Sequence, residues 1–214
     1  MLIAIEGMDG VGKTTIAKYI SEKYDYKFIE KPLHFFYNDG AETGYSDFMN
    51  VAVKLYDVED SYLRLWYFSL GNLYVSRMLN KQNVVVDRHL VSNYYWNCNA
   101  ESEFVFKTLL DACGVPDLTI LLHASVETRM QRLKKRNIND PDLFDSDKKK
   151  YGYDKMLYVL NKYNIPYVLI DTENKTIKEV EQMIDAEMEK LKVLDTSLKK
   201  VKKLEWESSN EREN

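Results

Sequence analysis

Gly7-Met8-Asp9-Gly10-Val11-Gly12-Lys13-Thr14 leaves this chain few ways to fold. The run matches the spacing G-x-x-x-x-G-K-[ST], in which backbone N–H groups turn inward to face phosphate oxygens. Glycines are needed because Cβ atoms would obstruct that conformation. The lysine reaches phosphate oxygens, the threonine hydroxyl takes magnesium, and the start of the following helix adds partial positive charge. Before the run stands Leu2-Ile3-Ala4-Ile5, short and apolar like a buried strand; after it Ile16, Ala17 and Ile20 recur at helical spacing. Strand, glycine loop and helix commit the chain to an α/β layout and to a nucleoside triphosphate bound with magnesium. Gly7, Asp9, Gly10, Val11, Gly12, Lys13, Thr14 and Thr15 are the expected binding residues. The glycines do not fit G-x-G-x-x-G, which disfavours a dinucleotide site.

The same alternation continues downstream. Lys27-Phe28-Ile29 reads as a second strand, ended by Pro32, and the stretch from His34 to Ser46, with Asn38, Asp39, Gly40 and Gly44, reads as loop. Dense apolar and aromatic residues from Val51 to Leu79, among them Leu63, Trp66, Tyr67, Leu70 and Tyr74, predict long helices. Gly71 within them costs about 1 kcal/mol relative to Ala, which points to close packing or ligand approach there. Val84-Val85-Val86, Leu118 to Leu122 and Tyr167-Val168-Leu169-Ile170 suit strands covered on both faces. Val126, Met130 and Leu133 form one helical stripe, and Thr176 with Glu179 makes a capping-box spacing ahead of Ile177, Val180, Ile184 and Leu191. The expected fold is α/β in three layers, with helices on both faces of a parallel sheet of about five strands. With 45% hydrophobic residues against 30% charged, 214 residues suffice for one core. We expect a single domain over residues 1–194 and a charged helix or tail over 195–214, which has few apolar anchors beyond Val201, Leu204 and Trp206.

Asp87 closes the Val84 to Val86 run, and ligands of parallel sheets sit beyond the carboxyl ends of strands. Asp87 thus joins Thr14 as the expected metal pair, and Arg88 beside it offers a rigid fork for a phosphate. The stretches Ile5-Glu6-Gly7-Met8-Asp9-Gly10-Val11-Gly12-Lys13-Thr14-Thr15 and Asp87-Arg88-His89-Leu90-Val91-Ser92-Asn93 together resemble the thymidylate kinase family, whose E-G-x-D-G-x-G-K-T-T and D-R-[YH]-x-x-S motifs stand in that order. The resemblance implies a P-loop kinase fold that moves the γ-phosphate of ATP, with Mg2+, onto a deoxynucleoside monophosphate such as dTMP. It implies Asp9 near the sugar 3′-hydroxyl, Arg88 at the acceptor phosphate, and Ser92 and Asn93 near the acceptor nucleoside. Trp96 stands where the family has Tyr beside the sugar. Phe68 aligns with an aromatic of the base-binding helix, and Asn72 with the position at which an Arg meets thymine.

After the second strand the chain reads Glu30-Lys31-Pro32-Leu33-His34-Phe35, where the family carries E-P-G-G. That stretch is similar to the E-P-x-x-x-W of deoxynucleoside kinases, so a second expectation is a deoxynucleoside kinase with Glu30 as base toward a 5′-hydroxyl. Asp87-Arg88-His89 stands against it, because those kinases carry E-R-S there. A third is a nucleotide-binding protein of degenerate kinase activity, suggested by Asn72 and by the lid.

Arg129, Arg132 and Arg136 share one side of a helix and flank its apolar stripe. The polar segment that follows, with Asp140-Pro141-Asp142 and Lys148 to Lys150, is the expected lid at about 137–150, which brings cations over a transferring phosphoryl group. The family's lid arginine lies in D-R-[FI]-E, whereas this chain has Asp142-Leu143-Phe144-Asp145. Arg136 is the expected substitute, completing a catalytic set of Lys13, Asp9, Asp87 and Arg88, and Arg132 is the expected further contact to ATP. A net charge of −4 with spread positive residues gives no expectation of nucleic acid or membrane as partner. Cys98 and Cys113 lack a close partner, and His34, His89 and His123 lack ligand spacing, so neither disulfide nor zinc is expected. Met1 to Ile5 runs straight into Glu6 and Gly7, unlike a signal peptide, so we expect a cytoplasmic protein. The resemblance also implies a homodimer, for which the aromatic-rich Val51 to Leu79 region is suited.

Overall fold

A computed structural model describes residues 1–33, 42–138, 143 and 152–210, with the side chains of 42–47 and 194–210 excepted. The chain divides into two compact units, Met1–Asn174 and Lys175–Asn214. In the first unit β1 (Leu2–Glu6), β2 (Lys27–Glu30), β3 (Val84–Asp87), β4 (Leu118–His123) and β5 (Tyr167–Asp171) form one sheet in the order β2-β3-β1-β4-β5. Every pairing is parallel, with Ile5 in register with both Asp87 and Ile120. Buried on both faces, the central strands are apolar at nearly every position: Ile3, Ile5, Val85 and Val86 have no exposed surface.

The helices of this unit are α1 (Lys13–Tyr24), α2 (Glu42–Tyr56), α3 (Ser61–Met78), α4 (Leu90–Asn97), α5 (Glu103–Cys113), α6 (Val126–Arg136) and α7 (Gly152–Lys162). Helix α1 lies against β1, β2 and β3 and buries Ile16, Ala17 and Ile20, the spacing that predicted it. Val75 of α3 and Leu79, its C-cap, cluster with Ala4, Ile29, Val84 and Val86, whose side chains alternate with Ile3, Ile5 and Val85 along the pleat. On that same face Leu65, Tyr94, Phe106 and Met156 bring α3, α4, α5 and α7 together over Leu121. The three-layer α/β fold is thus in place.

One detail differs from expectation. Residues 42–46, expected as loop, are the first turn and a half of α2, which buries Phe48 and Ala52, four apart, against Leu33. Tertiary burial at that spacing overrides the local loop signal of Gly44. The long helical region is two helices, parted where Asp60 caps α3: its Oδ1 accepts from the Tyr62 and Leu63 N–H groups at 2.8 and 3.1 Å. Gly71 has the expected close packing, since a Cβ there would lie 2.4 Å from the Leu33 nitrogen.

In the second unit α8 (Ile177–Asn210) begins with the expected capping box. The Thr176 N–H donates to Glu179 Oε2 at 2.8 Å, and the Glu179 N–H donates back to Thr176 Oγ1 at 3.3 Å. The helix continues through Asn210. Among the described residues no helix is long and apolar enough to cross a membrane.

Candidate active site

The loop between β1 and α1 has a left-handed backbone at its glycines, with φ of 137°, 86° and 101° at Gly7, Gly10 and Gly12. Gly12 is the N-cap of α1, and a Cβ on it would meet nothing within 4 Å. Its φ alone demands glycine there, and the space beside it stays open for an anion.

Charged groups of β1, β3 and the loop converge at this point. Lys13 is buried, donates from Nζ to the Met8 carbonyl at 3.0 Å, and stands 3.6 Å from Asp9 Oδ1. Arg88 forms an ion pair with the same Asp9 oxygen. Burial, and next the Arg88 guanidinium, push the Lys13 ammonium down to about 8, while Asp9, Asp87 and Glu6 oppose the shift. Thr14 Oγ1 donates to Asp87 Oδ2 at 2.5 Å, whereas Asp87 Oδ1 is buried with no hydrogen-bond partner among the described residues. An unsatisfied carboxylate oxygen beside a hydroxyl is a costly arrangement without a ligand, and it suits a hard cation. Magnesium keeps several waters, so two protein oxygens are a sufficient set for it.

The turn after Asp87 and Arg88 is clamped by Glu6, which stands within the first family-like stretch but to which the sequence alone assigns no role. Its carboxylate has no exposed surface; Oε1 accepts from the N–H groups of His89, Val91 and Ser92 at 2.8, 3.1 and 3.2 Å, and Oε2 accepts from the Ser92 hydroxyl. A side chain from β1 thereby satisfies the orphan donors at the start of α4. Burial pushes the Glu6 carboxyl up despite those hydrogen bonds. The turn it clamps contains Arg88 at φ 73, left-handed for a non-glycine residue, tied through its N–H to the Ile5 carbonyl at 3.0 Å. His89 follows, buried, and that burial lowers it to about 4.

The expected acceptor residues fall in two groups. Ser92 faces Arg88, whose Nη1 donates to its Oγ at 3.5 Å. Asn93 and Asn72 meet: Asn93 Nδ2 donates to Asn72 Oδ1 at 2.9 Å and to Ser69 Oγ at 3.2 Å, and Asn97 Nδ2 donates to Asn93 Oδ1 at 2.9 Å. Position 72 is therefore part of a buried carboxamide chain linking α3 to α4. Phe68 packs among Phe48, Tyr56 and Tyr67, stacked on Tyr56 at 5.9 Å. Trp96 is 38% exposed and meets Tyr95 edge-on at 4.6 Å. Glu30 is exposed at the end of β2, in register with Asp87. Thr15 is exposed on the first turn of α1, and Val11 is buried in the loop.

The three arginines of α6 separate. Arg132 donates from Nη1 to Thr172 Oγ1 at 2.9 Å and from Nη2 to the Thr172 carbonyl at 2.7 Å, beside the Val11 carbonyl that Thr172 Oγ1 also approaches at 3.5 Å. Arg136 is exposed in the last turn. Arg129 does not flank the stripe as expected: it is 3% exposed and, with Leu133, forms the buried side of the helix, while Val126 and Met130 are half-buried. Amphipathic patterning misses it because it counts every arginine as polar. In the lid, residues 139–142 and 144–150 lie outside the described residues, Asp142, Phe144 and Asp145 among them.

This site belongs with a known set of proteins. The family described as thymidylate kinase matches residues 5–184. A probable thymidylate kinase of Methanococcus maripaludis is 29% identical over 199 residues, 88% of this chain and 96% of the relative. One from Methanocaldococcus jannaschii is 29% identical over 189 residues, 86% of this chain and 93% of that one. Among solved structures, thymidylate kinase from Candida albicans superposes with a TM-score of 0.64 at 20% identity, covering 89% of this chain and 92% of that one. Deoxyadenosine kinase from M. mycoides with bound dATP gives 0.58 at 21% identity over 88% of this chain and all of that one, which speaks for the fold. A match running from within β1 into α8 takes in the glycine loop, the clamped turn at Arg88 and the helix of Arg129 alike, so the chain belongs to the thymidylate kinase family.

Proposed function

We propose that this ATP-dependent phosphotransferase uses dTMP as acceptor, converting ATP and dTMP to ADP and dTDP. The observation that carries the reading is the meeting of Lys13 and Arg88 on Asp9 beside the Thr14–Asp87 pair. An acceptor phosphate oxygen attacks the γ-phosphorus as the bond to the β,γ-bridging oxygen breaks, so no base is needed and ADP leaves. Lys13 and the loop N–H groups bind the donor phosphates, Arg88 holds the acceptor phosphate, and Asp9 lies within reach of the acceptor sugar. Thr14 and Asp87 would hold magnesium, which when bound offsets the charge of the phosphates. Ser92, Asn93, Asn72, Phe68 and Trp96 form the acceptor side, and Arg132 the far side of the ATP site. The family relationship also supports a second copy of this chain as partner.

An ADP-release assay over deoxynucleoside monophosphates and deoxynucleosides tests this. Turnover is expected with dTMP, at a kcat/KM at least about tenfold above that of any nucleoside. Turnover of nucleosides alone would overturn the reading in favour of Glu30 as base; in that case Glu30→Gln abolishes activity, whereas here it leaves dTMP turnover near normal.

A further inference from the structure

Phosphoryl transfer spreads negative charge over the oxygens of the moving group, and its rate follows the cations fixed around them. Lys13 and Arg88 are two. In the segment expected as lid, Leu143 stands where the resembled D-R-[FI]-E pattern has its arginine; Arg132 is committed to Thr172, and Arg136 sits exposed at the end of α6. Resting on the phosphotransferase reading above, we propose that Arg129 is the third cation of the transfer site, acting from a fixed position against the glycine loop in place of a lid arginine.

Position is the first ground. A Cβ built on Gly10 would lie 2.7 Å from the Arg129 carbonyl oxygen and 3.1 Å from its Cα and Cβ, so residue 129 is seated directly against the loop. Charge is the second. Asp9, which already holds Lys13 and Arg88, acts on the Arg129 guanidinium as well, so three cations answer to one carboxylate. Such a carboxylate stands in for an anion: when phosphates arrive, the cations have oxygens of higher charge to turn to. The third ground is cost. Burying a guanidinium sacrifices hydration that a leucine or methionine at this place, one turn from buried Leu133, would not, so packing alone gives no reason for arginine. A desolvated guanidinium stabilises developing charge more strongly than a solvated one.

The test compares the full chain with Arg129→Met, Arg129→Ala and Arg129→Lys, measuring kcat, both KM values, ATP affinity by calorimetry and melting temperature. Arg129→Met and Arg129→Ala are expected to lose about 100-fold or more in kcat with ATP affinity and KM within about threefold. Arg129→Lys, which keeps charge but not the fork, is expected to lose about tenfold. Added methylguanidinium is expected to speed Arg129→Ala but not the wild type. A folded Arg129→Met with kcat within about threefold of wild type overturns the proposal, as does a kcat loss matched by lost ATP affinity without rescue. Should both shorter or apolar variants fail to fold, Arg129→Lys decides: unchanged kcat overturns the proposal, and a loss at unchanged ATP affinity supports it. A wild-type chain that releases no ADP with any acceptor removes the phosphotransferase reading itself, a separate result.

Discussion

Gly71 sets two residue-scale effects against each other. In an ordinary helix interior, alanine in place of glycine gains about 1 kcal/mol. Here the added Cβ would lie 2.4 Å from the Leu33 nitrogen and 2.8 Å from both the Leu33 Cα and the Pro32 carbonyl carbon, all backbone atoms that cannot rotate away. Overpacking of that kind costs about 1–3 kcal/mol or more, so sterics wins and Gly71→Ala is expected to destabilise by about 1–2 kcal/mol net. Urea midpoints measure it, and an equal or higher midpoint for the variant would show that the helix and the segment after β2 yield instead. The sequence marked Gly71 as anomalous without naming its neighbour, because Pro32 and Leu33 are far away in the chain. The same limit hid Glu6, a charge at the end of an apolar strand whose partners lie more than eighty residues downstream, and Arg129, whose burial depends on Gly10. By contrast Lys13, Thr14, Asp87 and Arg88 were legible because motif and strand end place them without reference to any distant contact.

Elements are joined by a few polar ties whose strength depends on pH. Glu103 at the start of α5 accepts hydrogen bonds from Lys162 and, at 2.5 Å, from the Tyr163 hydroxyl at the end of α7. These bonds, Lys162 first, hold the Glu103 carboxyl below its usual 4.5. The unfolded chain therefore takes up this proton at a higher pH than the folded one. The stability that the tie supplies is full above about 4.5 and is lost as pH falls through the folded value. Glu103→Gln should unfold at lower denaturant than wild type at pH 7, with the difference shrinking as pH falls below about 4.5; a constant difference would mean the carboxylate charge is not what joins α5 to α7. Helix existence was legible wherever apolar spacing ran uninterrupted, as in α1. It failed at residues 42–46, where burial of Phe48 and Ala52 outweighs glycine and polar side chains.

At the scale of the whole molecule, α3 works on two sides. Its inner side supplies Leu65, Ser69, Asn72 and Val75 to the interior. Its outer side leaves Leu63, Trp66 and Leu70 exposed by 55%, 46% and 44%, at i, i+3 and i+7, with Tyr62 beside the exposed Phe104 at ring centroids 5.7 Å apart. Contiguous aromatic and aliphatic surface of this kind marks an interface more often than a solvated face. A second copy of this chain is the partner we propose for it, because a two-fold contact lets one apolar stripe cover its own image. Light scattering at tens of micromolar should then give twice the 25.2 kDa of one chain. Trp66→Glu with Leu70→Glu should give a monomer, since two carboxylates would be forced into an apolar contact with their symmetry mates. Because α3 also carries Asn72 and the Gly71 contact, pairing would brace the acceptor side, so the monomeric variant should show a raised KM for dTMP while its ATP affinity stays unchanged. A wild-type chain that scatters as 25.2 kDa, or a double variant that remains dimeric, would mean that this stripe is not where two copies meet.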